Sequence, residues 1–329
     1  MPVLSPDALL ALLTRLASGT VLPPDEAAEL LGLESHEVDA CMQILADYGV
    51  RRRRDGSLRV PGGIALLDES RVSALLPEAI RHDIAIEVHG VTASTNDIAR
   101  ARIEDGRYGA RSILAEAQTA GRGRRGRGWA SPVASNLYLT HVEPLAGGLE
   151  SASGLSLVVG VAAAEAIESS CGIEVLLKWP NDLIVADRKL GGILVELVLG
   201  GGAAHCVLGI GVNVRVPAHV GAGIDQAWVD LTQVTGGPVD RNELAAAIVG
   251  RLHEHMVAFR SLGFDDRVRR AWQARDPYRD RRIVARSEQG ELRGIARGID
   301  ASGALVIETG TGRTAIGAGE VSIRLEERS

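Results

Sequence analysis

The chain has 329 residues, of which 46% are hydrophobic and 24% charged, so it contains enough apolar material for at least one sizeable core. A formal net charge of -6 at pH 7 argues against a protein that coats nucleic acid or membranes through bulk charge. The sequence has three cysteines without a C-x-x-C spacing, which argues against a disulfide framework. It has no signal-peptide pattern and no apolar run as long as a membrane span, so we predict a cytoplasmic chain that is not a membrane protein.

The N-terminal residues predict three short helices followed by a hairpin. The first helix has leucines at helical spacing, the second covers residues 24–31, and the third begins at a Ser35 cap. Residues 50–60 predict a hairpin that turns at Asp55-Gly56. This order resembles a winged helix-turn-helix, which we assign to residues 1–63 as the first of three domains.

The charges of this unit support DNA binding only in part. Glu34, Glu37 and Asp39 are expected to be exposed on the third helix, which has no Lys or Arg and would repel phosphates. The basic residues of the unit, at positions 51–54, lie in the wing instead. Two interpretations stay open here: operator DNA as a partner, or a helical module kept for dimerisation or packing.

A strand predicted over residues 82–91 runs into Ser94, Thr95 and Asn96, which open a helix expected to begin at Asp97. A plain helix N-cap would account for these three residues. However, free backbone N–H groups at a strand-to-helix junction, together with three small polar side chains, can also bind a neutral polar head group. A buried strand follows and ends at Gln118.

Residues 120–129, A-G-R-G-R-R-G-R-G-W, form a loop in which four arginines alternate with glycines. Guanidinium groups on such a free backbone are suited to binding anions bidentately. The loop also contains a literal G-x-G-x-x-G, but Pro132 follows closely and no helical period does. We therefore reject a dinucleotide-binding motif, which should open a helix.

The next segments predict antiparallel strands backed by helices, which indicates an α+β sheet. Polar signals lie at the strand ends, in K-W-P-N-D at 178–182, K-L-G-G-I-L at 189–194 and G-I-G-V-N at 209–213. Only two of the 36 basic residues are lysines, Lys178 and Lys189, and both lie in these motifs. Because an ammonium is a compact point charge, we infer that these two sites need one.

Other catalytic classes lack their signals. The sequence contains no G-x-x-x-x-G-K-[ST] loop and no hydrolase nucleophile elbow. His253 and His255 lie two apart on a helix that we expect to be solvated, so we predict no dedicated protein cage for a metal. After Asp276-Pro277, short strands separated by glycine turns predict a small SH3-like β-barrel over 277–329, which leaves 64–276 as the central domain.

Taken together, S-T-N at 94–96, the Arg/Gly loop and the three later motifs resemble the bacterial biotin protein ligases that double as biotin-operon repressors. The resemblance covers the whole chain. It implies an α+β multidomain fold with a winged helix-turn-helix, a central mixed sheet similar to class II synthetases, and a C-terminal SH3-like barrel. It also implies a homodimer when biotinyl-5′-AMP is bound.

The resemblance implies a two-step reaction. Biotin and ATP, with Mg²⁺, form biotinyl-5′-AMP, and a lysine of the biotin carboxyl carrier protein of acetyl-CoA carboxylase then takes the biotinyl group. The catalytic residues implied are Lys189, Arg122 and Arg124. The residues implied for biotin are Ser94, Thr95, Asn96, Gln118, Arg122, Gly123, Arg124 and Lys189, and those implied for the nucleotide are Arg127, Asn181, Asp182, Asn213, Trp228 and Arg324.

Two alternative functions fit these residues less well. A lipoate ligase is disfavoured because its Arg-Gly-Gly-Gly loop differs from residues 121–129. A biotin-responsive DNA-binding regulator without significant ligase activity is opposed by the intact Lys189 and by the arginine loop.

Overall fold

The computed structural model describes residues 4–145, 152–287, 290–317 and 322–326. Within these ranges the strands form sheets of two, seven and five strands. No helix in the same ranges combines the length and the apolar character that crossing a membrane requires.

The N-terminal unit contains three helices and a two-stranded hairpin, as predicted. The elements are α1 (Pro6–Leu16), α2 (Pro24–Leu31), α3 (Ser35–Asp47), β1 (Arg51–Arg52) and β2 (Leu58–Arg59). Leu12, Leu13 and Leu16 of α1 are fully buried in the apolar cluster of this unit, and Ala117 and Val133 from outside the unit join that cluster. The N-terminal unit therefore shares a core with the rest of the chain.

The start of α3 differs from the prediction. Its N-cap is Glu34 rather than Ser35. Glu37 is half-buried. Its carboxylate accepts a hydrogen bond of 3.0 Å from the Glu34 backbone N–H, which stabilises the helix terminus. Asp39 is exposed but forms an ion pair with Arg52 of β1. The expectation that these carboxylates are exposed is therefore confirmed for Glu34 and Asp39 and wrong for Glu37.

The C-terminal end of α3 contacts a segment that follows the central sheet. The Asp47 carboxylate lies 2.6 Å from Nδ1 of His219 and also accepts a hydrogen bond from the His219 backbone N–H. The Arg215 guanidinium donates to the Asp47 carbonyl.

The seven-stranded central sheet has the order β3-β4-β5-β9-β8-β7-β6. The β3–β4 pair is parallel and every other neighbouring pair is antiparallel, so the sheet is mixed. Its strands are β3 (Ala85–Thr92), β4 (Arg111–Gln118), β5 (Leu137–Leu145), β6 (Leu176–Lys178), β7 (Asp182–Val185), β8 (Arg188–Gly200) and β9 (Ala203–Val212).

Helices cover both faces of this sheet, because successive strand residues point to opposite sides. Ile113 and Val142 pack under α5 (Thr95–Glu104), whereas Leu114 and Leu139 join the main core with α6 (Leu155–Cys171) and α9 (Arg241–Leu262). The remaining helices are α4 (Glu69–Leu75), α7 (Ala218–Gly221), α8 (Leu231–Thr235) and α10 (Asp266–Ala274).

The expectation that α9 is solvated is wrong. Most of its apolar residues are buried in the main core, and His255 is only 8% exposed. His253 contacts the buried Glu143 of β5. The histidines of this helix therefore belong to the interior of the protein.

The C-terminal sheet is antiparallel throughout, with the order β13-β12-β11-β10-β14. Its core is continuous with the main core, and the Trp179 indole N–H donates to the Gly303 carbonyl at 3.1 Å. This contact holds the sheet beside the K-W-P-N-D motif. The strands are β10 (Arg282–Ser287), β11 (Gly290–Ile299), β12 (Leu305–Thr309), β13 (Gly312–Ile316) and β14 (Ser322–Leu325).

Candidate active site

A cavity of about 880 Å³ opens where the Arg/Gly loop, the ends of the central strands and β14 meet. All fourteen residues predicted for the site line it. Seven cationic side chains and two aspartates are among the lining residues, so this chain of net negative charge concentrates positive charge at one place. Such a cavity is suited to an anionic ligand. The cations are Arg122, Arg124, Arg125, Arg127, Lys178, Lys189 and Arg324, and the aspartates are Asp182 and Asp225.

One end of the cavity is built by the start of α5. Ser94 is the N-cap residue, but its side chain makes no capping hydrogen bond, so the plain N-cap interpretation is not supported. The Thr95 backbone N–H donates to Oε1 of Gln118 at 2.9 Å, and Gln118 donates in turn to the Ser131 hydroxyl at 3.1 Å. The side chains at this end are therefore held in fixed orientations.

Two residues that the sequence analysis missed complete this end. The hydroxyl of Thr140, on β5, lies 2.7 Å from the Thr95 hydroxyl oxygen and 2.6 Å from Oδ1 of Asn96. Glu196, on β8, accepts a hydrogen bond of 2.7 Å from the Asn96 amide. The alternation of side chains along β5 is the one sequence signal that could have placed Thr140 on this face, and no motif contains Glu196.

The Arg/Gly loop folds back on itself. Arg122 and Gly128 form an isolated antiparallel bridge, and the Gly123 N–H donates to the Arg127 carbonyl at 2.8 Å. Only a single 3₁₀ turn, Arg124–Gly126, lies between them. Because no α-helix follows the glycines, the dinucleotide motif is absent, as the sequence analysis concluded.

Two arginines fasten this loop to opposite sides of the cavity. Arg122 donates two hydrogen bonds to the Asp97 carboxylate, at 2.9 and 2.5 Å, and this contact lowers the pKa of Asp97. Arg124 donates to Oδ1 of Asn181 at 3.3 Å. The loop thus spans from α5 to the turn between β6 and β7.

Lys189 lines the cavity between Asp182 and Trp129. Its ammonium is 2.8 Å from Oδ1 of Asp182 and 5.6 Å from the ring centroid of Trp129. Lys178 lies 5.7 Å from the ring centroid of Tyr278, and burial lowers its pKa. The two lysines of the chain therefore lie in one electrostatic environment.

The opposite end of the cavity is built by β9 and the segment that follows it. The Asn213 amide donates to the carbonyls of Val229, at 3.2 Å, and Lys189, at 3.4 Å. Asn213 thereby holds the backbone of Lys189 in register. The Trp228 ring packs on Gly221, to whose carbonyl the indole N–H donates at 3.2 Å.

A second polar cluster lies on the other face of the sheet. Oε1 of Glu143 is 3.3 Å from Nε2 of His141 and 2.9 Å from Nδ1 of His253, and Arg260 donates to its other oxygen at 2.5 Å. Burial raises the pKa of Glu143, but the two histidines and Arg260 outweigh burial and lower that pKa to about 2. The potential ligand atoms of His141, Glu143 and His253 are close enough together to hold a metal ion. However, the Arg260 guanidinium already balances the charge of the Glu143 carboxylate.

Comparisons with known proteins agree with this geometry. Residues 88–213 match the Biotin/lipoate A/B protein ligase family, and residues 280–324 match the Biotin protein ligase C terminal domain. The bifunctional ligase/repressor BirA of Salmonella typhimurium is 37% identical over 322 residues, which cover 97% of this chain and 98% of the relative. BirA of Escherichia coli is 36% identical with the same coverage.

A solved structure has the same fold. The biotin protein ligase from Aquifex aeolicus, in complex with biotin and ATP, superposes with a TM-score of 0.62 at 27% identity and covers 73% of this chain and 99% of its own. The two full-length relatives exceed 30% identity over nearly the whole of both chains. This chain therefore belongs to the family of BirA-type biotin protein ligases.

Proposed function

We propose that this chain is a biotin protein ligase that activates biotin with ATP and transfers it to a lysine of the biotin carboxyl carrier protein of acetyl-CoA carboxylase. The observation that carries this proposal is the cationic cavity lined by Lys189 and the loop arginines, in a chain related over its full length to named ligases. In the first step a carboxylate oxygen of biotin attacks the α-phosphorus of ATP. The bond from that phosphorus to the bridging oxygen breaks, and pyrophosphate leaves with the electron pair.

The cavity can stabilise this step because both reactants are anions. Lys189 would place one point charge between the carboxylate and the α-phosphate, and Asp182 orients its ammonium. Arg122 and Arg124 would bind the same anions through their planar guanidinium groups. The catalysis is therefore electrostatic stabilisation combined with positioning of the two substrates.

The two ends of the cavity suggest how the substrates lie. The uncharged polar network around Thr95 would hold the ureido ring of biotin, together with Ser94, Asn96 and Gln118. The opposite end would hold the nucleotide, through Arg127, Asn181, Asp182, Asn213, Trp228 and Arg324. Since the Asn213 amide is already bonded to two carbonyls, its contribution there is chiefly to position Lys189.

The donor set also fits Mg²⁺, which proteins usually bind through one or two carboxylates together with substrate phosphates. Asp182 and Asp225 are the carboxylates that line the cavity. The ion would supply neutralising charge to the phosphates. The Arg/Gly loop, fastened on both sides by Arg122 and Arg124, would shield the mixed anhydride from water.

We propose a second role for the N-terminal unit as a winged helix-turn-helix that binds operator DNA, with a homodimer forming when biotinyl-5′-AMP is bound. Three helices followed by a hairpin support this role, and two full-length relatives are named ligase/repressors. The domain boundaries that we propose are 1–63, 64–276 and 277–329. The last of these would be the SH3-like barrel.

Biotin-dependent exchange of pyrophosphate into ATP by the purified chain tests the ligase function. We expect exchange that requires biotin and that stops once carrier protein, added in excess over biotin, has taken up all of the biotin. If biotin binds but no exchange exceeds the biotin-free background, the chain is a biotin-responsive regulator without ligase activity.

A further inference from the structure

The amide of Asn96 is held in place from several sides. Asn96 lines the cavity next to Thr95 and is only 4% exposed. A Cβ built on Gly209 of β9 would lie 2.6 Å from Oδ1 of Asn96, so the amide packs directly against the strand backbone. The Thr140 hydroxyl donates to Oδ1 at 2.6 Å, and Nδ2 donates to Glu196 at 2.7 Å. The plane of the amide is therefore fixed, and its two orientations differ only in the exchange of oxygen and nitrogen.

Hydrogen bonding decides between these two orientations, because they have nearly the same shape. The Thr140 hydroxyl can donate or accept, so it is compatible with both. The Glu196 carboxylate can only accept, so the nitrogen of Asn96 must face it. Glu196 is therefore the partner that sets the orientation of the amide.

Arg100 in turn holds Glu196. It lies one helical turn after Asn96 on α5 and donates to the other carboxylate oxygen of Glu196. A guanidinium has N–H donors and no acceptor, so only an oxygen of residue 196 can face it. Neither Glu196 nor Arg100 is among the residues that line the cavity. Both therefore act on the cavity through Asn96.

We propose that Glu196, oriented by Arg100, is a positioning residue that holds the Asn96 amide in one orientation. It thereby sets the hydrogen-bond polarity with which the cavity meets the ureido group of biotin. This inference rests on the proposed function, in which Asn96 contributes to binding of the ureido ring. A ureido group has N–H donors and a carbonyl acceptor at fixed positions. An inverted amide would place a donor against a donor, or an acceptor against an acceptor, and weaken biotin binding.

Glu196→Gln distinguishes this role from a simple loss of charge. Because Arg100 can only donate, the oxygen of the new amide faces Arg100 and its NH₂ group faces Asn96. Asn96 must then turn its own oxygen toward position 196, while its nitrogen donates to the Thr140 hydroxyl. Adding Arg100→Met removes the guanidinium, so the oxygen at position 196 can return to Asn96. The double variant should therefore recover the original orientation.

Isothermal titration calorimetry with biotin tests the proposal on the full chain, on both single variants and on their combination. We expect the Kd for biotin to rise by about tenfold or more in Glu196→Gln. It should stay near that of the unmodified chain in Arg100→Met and recover in the double variant. Exchange kinetics should show the same pattern in the KM for biotin, with little change in kcat or in the KM for ATP. Glu104→Gln, at an exposed position of α5, is the matched control and should bind biotin normally.

All variants should melt near the temperature of the unmodified chain, because each buried polar group keeps a partner. A double variant that binds biotin as weakly as Glu196→Gln would overturn the assignment, since Glu196 would then act through its charge or its packing. So would an unchanged Kd in Glu196→Gln, or a lower melting temperature of this variant that Arg100→Met does not restore. If the unmodified chain binds biotin without exchange, the proposed ligase function fails, while the titrations still decide the role of Glu196.

Discussion

At the scale of single residues, Lys189 is the position where the choice of cation matters most. Lys189→Arg should reduce exchange by about two orders of magnitude, because a planar guanidinium cannot place its charge at one point between two anions. The fold should survive, since the side chain is partly exposed and its backbone is held by the Asn213 amide. Steady-state exchange and thermal melting of the purified variant measure the two effects.

The neighbouring Arg188 offers a control in the reverse direction. It is exposed at the start of β8 and does not line the cavity. Arg188→Lys should leave exchange unchanged. Near-normal exchange by Lys189→Arg would contradict the requirement for an ammonium at this position.

Thr140 allows a second test at this scale. Thr140→Val keeps the volume but removes the hydroxyl that lies between Thr95 and Asn96. The substitution leaves Thr95 and Asn96 without this buried partner, which costs about 1–3 kcal/mol and disturbs the biotin end of the cavity. The KM for biotin should therefore rise by about tenfold or more, while the KM for ATP changes little. Thr314→Val, at an exposed position of β13, is the matched control. An unchanged KM for biotin would remove Thr140 from the biotin end.

The sequence motifs predicted which residues gather at the cavity but not how they are bonded to one another. Asn96 and Glu196 are 100 positions apart, and their hydrogen bond exists only because β8 runs past the start of α5. The Arg122–Asp97 contact likewise depends on the path of the loop. Residue type and spacing determine what a side chain can do, whereas its partners are determined by the tertiary fold.

At the scale of elements, the close contact between β9 and the Arg/Gly loop depends on a glycine. A Cβ at Gly211 would lie 2.6 Å from Cε2 of Trp129, so Gly211→Ala must displace the ring over which Lys189 lies. A displacement of about 1 Å at such a site can reduce the rate about 100-fold. We therefore expect a large loss of exchange, accompanied by a change in tryptophan fluorescence.

Gly128 lies in the same loop and provides the comparison. A Cβ there meets nothing within 4 Å, and its backbone does not need a positive φ. Gly128→Ala should retain most of the exchange activity. Equal losses in both variants would show that loop flexibility, and not the position of Trp129, determines activity.

The longer elements could be predicted from their sequence, because apolar periodicity over eight or more residues is a strong signal. This holds for β3, which was predicted over 82–91 and spans Ala85–Thr92, and for β4, which ends at Gln118 as predicted. The short helices α4, α7 and α8 were missed, since seven, four and five residues carry too little periodicity. The burial of His253 and His255 was also missed, because α9 is buried on most of its surface.

At the scale of the whole molecule, the cluster around Glu143 links stability to pH. The pKa of Glu143 is lowered from 4.5 to about 2 in the folded chain. A carboxyl with a lowered pKa stabilises the fold above its unfolded pKa, and this contribution disappears as the pH falls through the folded pKa. Glu143 should therefore contribute about 3 kcal/mol to the free energy of unfolding at neutral pH, and this contribution should be lost between about pH 4.5 and pH 2.

Denaturant unfolding across this pH range measures the effect. Glu143→Gln should be less stable at neutral pH, and its stability should depend less on pH below 5 than that of the unmodified chain. Glu254→Gln, at an exposed position of the same helix α9, should keep the original pH dependence. Parallel pH profiles for the chain and Glu143→Gln would show that the cluster is not the source.

The scarcity of lysine has a consequence for the fate of the activated intermediate. Biotinyl-5′-AMP transfers its acyl group to amines, and this chain has only two lysines, both in the cavity, of which Lys189 is paired with Asp182. An enzyme whose outer surface is covered with arginine offers its own acyl donor almost no lysine side chain to label. Incubation with biotin and ATP without carrier protein should produce little self-biotinylation, which intact-mass analysis measures. Arg125→Lys, in the loop, should create a labelled site.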